Sequence, residues 1–178
     1  LTPRRVTLAR ITYQRLFRRY LRLSGMTGTA REAAAELQQV YGLPTVVVPL
    51  HRPSRRAQLP VCLLPDAVSQ QAAVVARVRA LRQAGRPVLI GTRSVASSER
   101  LGAALAAAGI DHALLNARQD SDEAAVVARA GEAGRVTVAT NMAGRGTDIA
   151  LGPGVASRGG LHVILTECHA SARVDRQL

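Results

Sequence analysis

The sequence predicts an α/β fold in which a parallel sheet is flanked by helices. From residue 67 onward, short apolar runs alternate with longer helical patterns, which is the order of elements that right-handed β-α-β crossovers produce. The short runs are continuously apolar, as expected of strands that are covered on both faces. Hydrophobic residues make up 47% of the 178-residue chain, so it can bury a core.

The first part of the chain predicts two helices and a buried strand. Apolar side chains recur at helical spacing over residues 11–23, namely Leu16, Phe17, Tyr20 and Leu23. A short strand and turn over residues 26–30 leads to a second helix over residues 31–40, which Gly42 ends. Residues 45–49 are typical of a buried strand. Three prolines and a basic run over residues 51–65 indicate a linker and a domain boundary.

Beyond the linker, helices and strands alternate. Helices are expected over residues 67–84, 95–108 and 122–130, with Ser94 as the N-cap of the second. The buried stripe of the first is expected to be Val68, Ala72, Val75, Val78 and Leu81. Strands are expected over residues 87–90, 113–115, 136–139 and 161–165, with His162 as a core histidine. Parallel sheets bind ligands beyond the carboxyl ends of their strands, so the candidate loops are 91–94, 116–120 and 141–148.

The charge of the chain is strongly positive and uneven. The formal net charge is +12, and all 24 basic residues are arginine. Residues 1–60 hold 11 arginines and 2 acids, and residues 61–178 hold 13 arginines and 10 acids, which gives +9 and +3. The strongly basic first third suggests a polyanionic partner, such as nucleic acid, anionic lipid or nucleotide, or an acidic neighbouring segment.

Cysteine usage and hydropathy argue against a disulfide-rich protein and against a protein that spans a membrane. Two cysteines in a chain of 178 residues make no disulfide framework, and no apolar stretch approaches the length of a membrane span. His169 lies beside Cys168, but no second Cys/His pair lies at ligand spacing, so no metal site is expected.

The most informative segment is residues 140–149, Thr-Asn-Met-Ala-Gly-Arg-Gly-Thr-Asp-Ile, which follows a predicted strand. Gly144 and Gly146 allow a tight turn close to a ligand, and the Arg145 guanidinium suits phosphate. Asp148 could accept a hydrogen bond from a sugar hydroxyl. The alternatives are a solvated turn in which Arg145 shapes the loop, and a helix N-cap role for Asp148.

This segment resembles helicase motif V in the form carried by the SecA family, the ATPase motors of bacterial protein secretion. The resemblance extends along nearly the whole chain. Residues 11–30 resemble the helix and motif III of the first nucleotide-binding lobe, and residues 45–53 its exit strand and crossing to the second. Residues 87–94 resemble motif IV, and residues 159–178 the approach to motif VI and its first residues.

The resemblance implies two RecA-like lobes with ATP bound in the cleft between them. Residues 1–50 then form the closing segment of the first lobe, residues 51–65 a linker, and residues 66–178 a second lobe truncated at motif VI. It implies that Arg145 is catalytic at the γ-phosphate side. Nucleotide binding falls to Asp148, Gly144, Gly146 and Thr147, and coupling between the lobes to Thr27, Gly28, Thr29 and Gln177.

The sequence departs from the family pattern near motif VI. Cys168, Ala170 and Ala172 stand where Arg, Glu and Arg are usual, and Leu165 stands where glycine is common. No P-loop and no Walker B acidic pair occurs in these 178 residues, so Mg²⁺ would be held by groups outside this chain. We therefore expect a fragment of a longer protein that is inactive as an ATPase by itself.

By resemblance, the function is that of an ATP-driven protein translocase motor. The implied partners are a SecY-type channel, unfolded precursor proteins, anionic lipids and the rest of its own chain, with a peripheral location on the inner face of the cytoplasmic membrane. Two alternatives stay open. One is a nucleic-acid helicase lobe, which motif V disfavours, and the other is a non-catalytic interaction module, which the changes near motif VI favour.

Overall fold

The computed structural model describes residues 9–28, 30–115, 123–140 and 148–168. The chain divides between Gln58 and Leu59 into two compact units. The helices are α1 (Tyr13–Phe17), α2 (Ala34–Tyr41), α3 (Ala67–Gln83), α4 (Val95–Ala107) and α5 (Glu123–Arg129). The strands are β1 (Val88–Thr92), β2 (Ala113–Leu115), β3 (Val136–Thr140) and β4 (His162–Leu165), and short 3₁₀ turns occupy Arg31–Ala33 and Ala156–Arg158.

The second unit contains a parallel sheet, which confirms the predicted α/β class. Its four strands lie in the order β2-β3-β1-β4, and every neighbouring pair is parallel. Val88 at the start of β1 pairs with Val136 on one side and His162 on the other. Because all strands point the same way, their carboxyl ends lie along one edge, where the predicted ligand loops begin.

Helices cover both faces of this sheet. On one face, α3 and α4 pack against alternate strand residues, and the fully buried members of this core include Val78, Leu105, Ile90 and Val136. The opposite face is smaller, and its buried core consists of Leu89, Leu115, Val127 and Ala139, with Ile149 packed against it. Strands buried on both faces lack polar alternation, which explains why the short apolar runs predicted them correctly.

The two long helices begin at side-chain caps. Ser94 Oγ accepts a hydrogen bond from the Ser97 N–H at 3.1 Å, which confirms the predicted cap of α4. Asp66 Oδ1 accepts from the Ser69 N–H at 2.7 Å at the start of α3, and this hydrogen bond lowers the pKa of the Asp66 carboxyl. The predicted stripe of α3 was partly wrong, because Val68 is 76% exposed while Val74 is buried with Val78 and Leu81.

The first helix is much shorter than predicted. The pattern over residues 11–23 predicted about four turns, whereas α1 covers only Tyr13–Phe17 after an N-cap at Thr12. Four arginines, Arg15, Arg18, Arg19 and Arg22, lie three or four residues apart in this segment. Like charges at that spacing destabilise a helix, and a short helix is marginal without extensive burial. Phe17 packs the short helix α1 against α2, with its ring centroid 6.4 Å from that of Tyr41.

Two predicted strands of the first unit are wrong, although the second helix is confirmed. Helix α2 follows the 3₁₀ turn and ends at Gly42 in the left-handed conformation, with φ of 69°. The described residues of segment 26–30 have no strand, and segment 45–49 is extended but unpaired. Val46, Val47 and Val48 are 79%, 64% and 82% exposed. A strand requires a neighbour for its backbone hydrogen bonds, and the described part of the chain supplies none here.

Candidate functional site

The carboxyl edge of the sheet is organised around the ends of its two central strands. Thr92 of β1 and Thr140 of β3 lie opposite each other in the register, and both are buried. Thr92 Oγ1 donates a hydrogen bond to the Ala139 carbonyl at 3.4 Å. This hydroxyl therefore ties the end of β1 to β3 at the points where the predicted loops 91–94 and 141–148 begin.

A second set of hydrogen bonds holds the chain as it leaves β4. The Thr166 N–H and the Thr166 hydroxyl both donate to the Gly91 carbonyl, each at 3.1 Å. From α3, Gln70 Nε2 donates to the Thr166 carbonyl at 2.6 Å. Thr166 is thus fixed to β1 and to α3 immediately after β4 ends. Sequence reasoning missed Gln70, because nothing in the local pattern of α3 indicates a partner 96 residues away.

An ion pair lies beside these hydrogen bonds. Arg93 Nη1 is 3.6 Å from Glu167 Oε2, and both side chains are about half exposed. Exposed pairs of this kind contribute little to stability, with about 0–1 kcal/mol as the usual range. The ion pair joins the loop after β1 to Glu167. Residues 166–167 are therefore held at the carboxyl edge of the sheet by side chains from α3 and from the loop after β1.

We expect Gln70→Ala to loosen the exit from β4 without unfolding the lobe. The substitution removes one neutral hydrogen bond, worth about 0.5–1.5 kcal/mol. The Thr166 carbonyl, which is partly buried, then loses its partner. Hydrogen exchange should become faster at residues 166–168. Gln83→Ala is the matched control, since Gln83 is an exposed glutamine on the same helix. Equal exchange in both variants would show that Gln70 positions nothing.

Asp148 lies next to the smaller core face. The following residue, Ile149, packs against the cluster that contains Leu115 and Ala139, the end of β2 and the residue before the end of β3. The Asp148 side chain is exposed, and no described residue forms a hydrogen bond or ion pair with its carboxylate. Residues 148–152 contain no helix, so the alternative role of Asp148 as a helix cap is wrong. An exposed carboxylate without a partner among the described residues fits a ligand hydroxyl.

Gly131 supports the segment that follows Asp148. The Gly152 N–H donates to the Gly131 carbonyl at 2.9 Å. A Cβ atom built on Gly131 would collide with the Ala150 carbonyl oxygen. The two backbones can approach this closely only because residue 131 has no side chain. Sequence reasoning missed this residue, since the loop between α5 and β3 carries no chemical motif.

Comparison with known protein families identifies the family of this chain. Residues 55–157 match the SecA P-loop domain, and residues 1–38 match the SecA DEAD-like domain. The chain belongs to the SecA family. The resemblance inferred from the motifs is thereby confirmed, and so is the RecA-like character of the lobe with the parallel sheet.

SecA proteins from several bacteria align with all or nearly all of this chain. It is 59% identical over 178 residues to protein translocase subunit SecA 2 of Nitrosospira multiformis, and 57% identical over 178 residues to that of Bordetella avium. It is 49% identical over 172 residues, 97% of the chain, to protein translocase subunit SecA of Nitratidesulfovibrio vulgaris. The chain spans 27%, 27% and 20% of these relatives, so it corresponds to about a quarter of their length or less.

Within this SecA chain, the described residues include only some of the predicted site. Arg145, Gly144, Gly146 and Thr147 lie outside them, as do Thr29 and Gln177. Thr27 and Gly28 are described, and both are exposed in irregular structure of the first unit. Asp148 is therefore the one predicted nucleotide-binding residue whose surroundings the described ranges reveal.

None of the helices in the described ranges is long and apolar enough to cross a bilayer. In the same ranges, no three His, Cys, Asp or Glu side chains are grouped so that they could hold a metal ion. Cys62 and Cys168 are exposed free thiols.

Proposed function

We propose that this chain is part of the ATP-driven motor of a SecA-type protein translocase. In this role the whole protein couples ATP binding and hydrolysis to the export of precursor proteins across the cytoplasmic membrane. The observation that carries the proposal is 59% identity over all 178 residues to a protein named as a translocase subunit. The sheet geometry supports it, because the motif V segment connects β3 to Asp148 at a ligand-binding edge.

The proposed site has two kinds of residue. Arg145 acts on the γ-phosphate, and Asp148 binds the nucleotide together with Gly144, Gly146 and Thr147. Thr27, Gly28, Thr29 and Gln177 couple the lobes. The exposed Asp148 carboxylate, which no described residue engages, supports its part of this assignment. Mg²⁺ would be held by groups outside this chain, where it would neutralise charge on the phosphates.

The proposed domain organisation follows the motifs. Residues 1–50 close the first nucleotide-binding lobe, residues 51–65 are the linker, and residues 66–178 belong to the second lobe. The proposed partners are a SecY-type channel, unfolded precursors, anionic membrane lipids and the rest of the protein, at the inner face of the cytoplasmic membrane. The names of the relatives support a translocation role, and the charge of +12 is compatible with an anionic membrane surface.

The decisive experiment measures what stimulates ATP turnover in the full-length protein. We expect stimulation by an unfolded precursor together with membranes that contain a SecY-type channel. Single-stranded RNA or DNA of similar charge is the control. Stimulation by nucleic acid alone would contradict the proposal in favour of a helicase. Absence of turnover under every condition would favour the non-catalytic module that the changes at Cys168, Ala170 and Ala172 suggest.

Asp148→Asn should weaken nucleotide binding in the full-length protein. The substitution keeps the size of the side chain and removes the charged acceptor. A hydrogen bond to a charged group contributes about 1.5–3 kcal/mol, so the Kd should rise roughly tenfold to hundredfold. The midpoint of thermal unfolding without nucleotide should stay constant, because the exposed carboxylate forms no hydrogen bond or ion pair with a described residue. Titration of labelled ATP tests this, and unchanged affinity would remove Asp148 from the site.

The 178-residue chain alone should not hydrolyse ATP. Phosphoryl transfer requires a phosphate-binding loop, carboxylates that hold Mg²⁺ and stabilising arginines, and this sequence has neither a P-loop nor a Walker B pair. A phosphate-release assay with and without Mg²⁺ measures the rate. Turnover above a buffer blank that Arg145→Ala abolishes would show that the chain is a complete ATPase.

A further inference from the structure

A group of four basic residues meets at the amino end of β4, at the edge of the sheet opposite the candidate nucleotide site. Its members are His162, the first residue of β4, Arg77 on α3, Arg86 just before β1, and Arg158 in the 3₁₀ turn before β4. We call these four residues the basic cluster. They come from two distant stretches of the sequence, residues 77–86 and 158–162, so no local motif predicts the cluster.

One of the arginines is held against the backbone, and another lies close to it. Arg86 Nη2 donates to the Gly159 carbonyl at 2.6 Å, and Arg86 Nε donates to the Gly160 carbonyl at 3.2 Å. The Arg158 guanidinium lies over Gly85, with Nη1 2.6 Å from the position that a Cβ atom would occupy. Part of the entropic cost of ordering the Arg86 side chain has therefore been met before any ligand binds.

His162 reports the electrostatic environment of the cluster. Its side chain is half-buried, and it makes no hydrogen bond with a described residue. It is therefore not the satisfied core histidine that the sequence suggested. Burial, followed by the positive charges of Arg77 and Arg86, lowers the pKa of the imidazole below its usual value of 6.5. A further positive charge on the imidazole is thus unfavourable beside Arg77 and Arg86.

No described carboxylate compensates the cluster. Neither the Arg93–Glu167 nor the Arg129–Glu132 ion pair includes a member of the cluster. The sequence around Arg77 and Arg86 is also purely basic in its charges, since residues 67–98 contain five arginines and no acid. A solvated basic surface usually mixes both signs of charge. Guanidiniums without a counter-charge can bind anions through charge-assisted hydrogen bonds.

The composition and shape of the surface select among anionic partners. Every aromatic residue of the chain lies at or before Tyr41, so the second unit has no ring on which nucleic-acid bases could stack. Arg86 and His162 are partly buried, and a protruding side chain reaches such groups better than a flat bilayer surface does. A carboxylate on a flexible side chain needs no aromatic ring for binding and can reach partly buried groups. It also matches the planar pair of donors that a guanidinium offers.

We propose that the basic cluster is a docking surface for an acidic protein segment, whose carboxylates pair with Arg77, Arg86 and Arg158. The site lies at the amino edge of the sheet and nucleotide is proposed to bind at the carboxyl edge, so this inference does not depend on the proposed ATPase role. Clustered carboxylates on one segment also gain from simultaneous binding, as single acids would not.

Fluorescence anisotropy with a labelled deca-glutamate peptide and the full-length protein tests the proposal. The variant R77Q/R158Q removes two exposed charges and leaves the backbone-bound Arg86 intact. The loss of two exposed ion pairs with the peptide should raise its Kd roughly tenfold, because each such pair contributes up to about a factor of five in affinity. R55Q/R56Q is the matched control, since it removes two exposed arginines outside the second unit. An equal loss in both variants would mean that only net charge attracts the peptide, and would overturn the proposal.

A second readout keeps the test independent of folding defects in the double variant. In full-length protein with ¹³C-labelled histidine, the bound peptide should raise the pKa of His162, because carboxylates offset the arginine charges. The single variant R77Q should show a smaller rise. No change at His162 would overturn the proposal. Binding of phosphatidylglycerol vesicles or duplex DNA that depends on the cluster, without binding of the peptide, would overturn it in favour of a membrane or nucleic acid.

Discussion

Arg145→Ala should lower ATP turnover of the full-length protein roughly 10³-fold, as expected for loss of an arginine that stabilises a transferring phosphoryl group. Nucleotide affinity should change much less. The guanidinium matters most as charge moves in the transition state, and a group that acts there changes kcat more than binding. Steady-state phosphate release gives kcat, and titration of a non-hydrolysable ATP analogue gives Kd.

Two further variants make the Arg145 experiment specific. Arg145→Lys keeps the charge but loses the planar pair of donors, so it should recover only part of the lost rate. Arg129→Ala is the control for a general loss of positive charge, because Arg129, the last residue of α5, is exposed and pairs with Glu132 beyond the helix. Near-normal kcat in Arg145→Ala would show that this residue shapes the loop and does not act on the phosphate.

Gly131→Ala should destabilise the second unit and displace the segment that carries Asp148. The new Cβ would overlap the Ala150 carbonyl oxygen, and the hydrogen bond from Gly152 to the Gly131 carbonyl resists separation of the two backbones. Added atoms in closely packed regions cost about 1–3 kcal/mol, which lowers the midpoint of thermal unfolding by several degrees in a domain of this size. Because Asp148 lies two residues before Ala150, nucleotide affinity should fall as well.

The control for this experiment is Gly25→Ala. A Cβ on Gly25 meets nothing within 4 Å, and its φ is not positive, so the same chemical change should have little effect there. Hydrogen exchange localises the effect of Gly131→Ala, with faster exchange expected at residues 149–152. If the melting temperature and this local exchange matched those of the native protein, the close approach at Gly131 would not constrain the segment.

The two experiments separate chemistry from support. A loss of kcat in Arg145→Ala at normal stability would identify a group that acts on the phosphate. A loss of affinity in Gly131→Ala together with local opening would show that a residue far from any motif positions the site. If both variants lost stability equally, the motif V segment would be a structural element of the lobe, and its assigned role in turnover would lack support.

Local patterns determined most of the second unit. Each of the strands β1 to β4 was predicted within about two residues, because a strand buried on both faces appears in the sequence as a short apolar run. The cap at Ser94 was also predictable, since a side-chain hydroxyl before an apolar helical pattern has one favourable partner, the N–H three residues later. The parallel topology then placed the ends of β1, β2 and β3 at one edge, where the predicted ligand loops begin.

Tertiary structure decided everything that depends on a distant partner. Segment 45–49 has the composition of a strand, yet it stays unpaired and exposed because strand formation requires a neighbouring backbone. Gln70 reaches Thr166 across 96 residues, and Gly131 admits the Ala150 carbonyl, although neither residue stands out in its own segment. By itself, the sequence determined the family and the class of fold, because motifs and apolar runs are encoded in neighbouring residues. Long-range hydrogen bonds and close backbone approaches arise only when packing brings separate segments together.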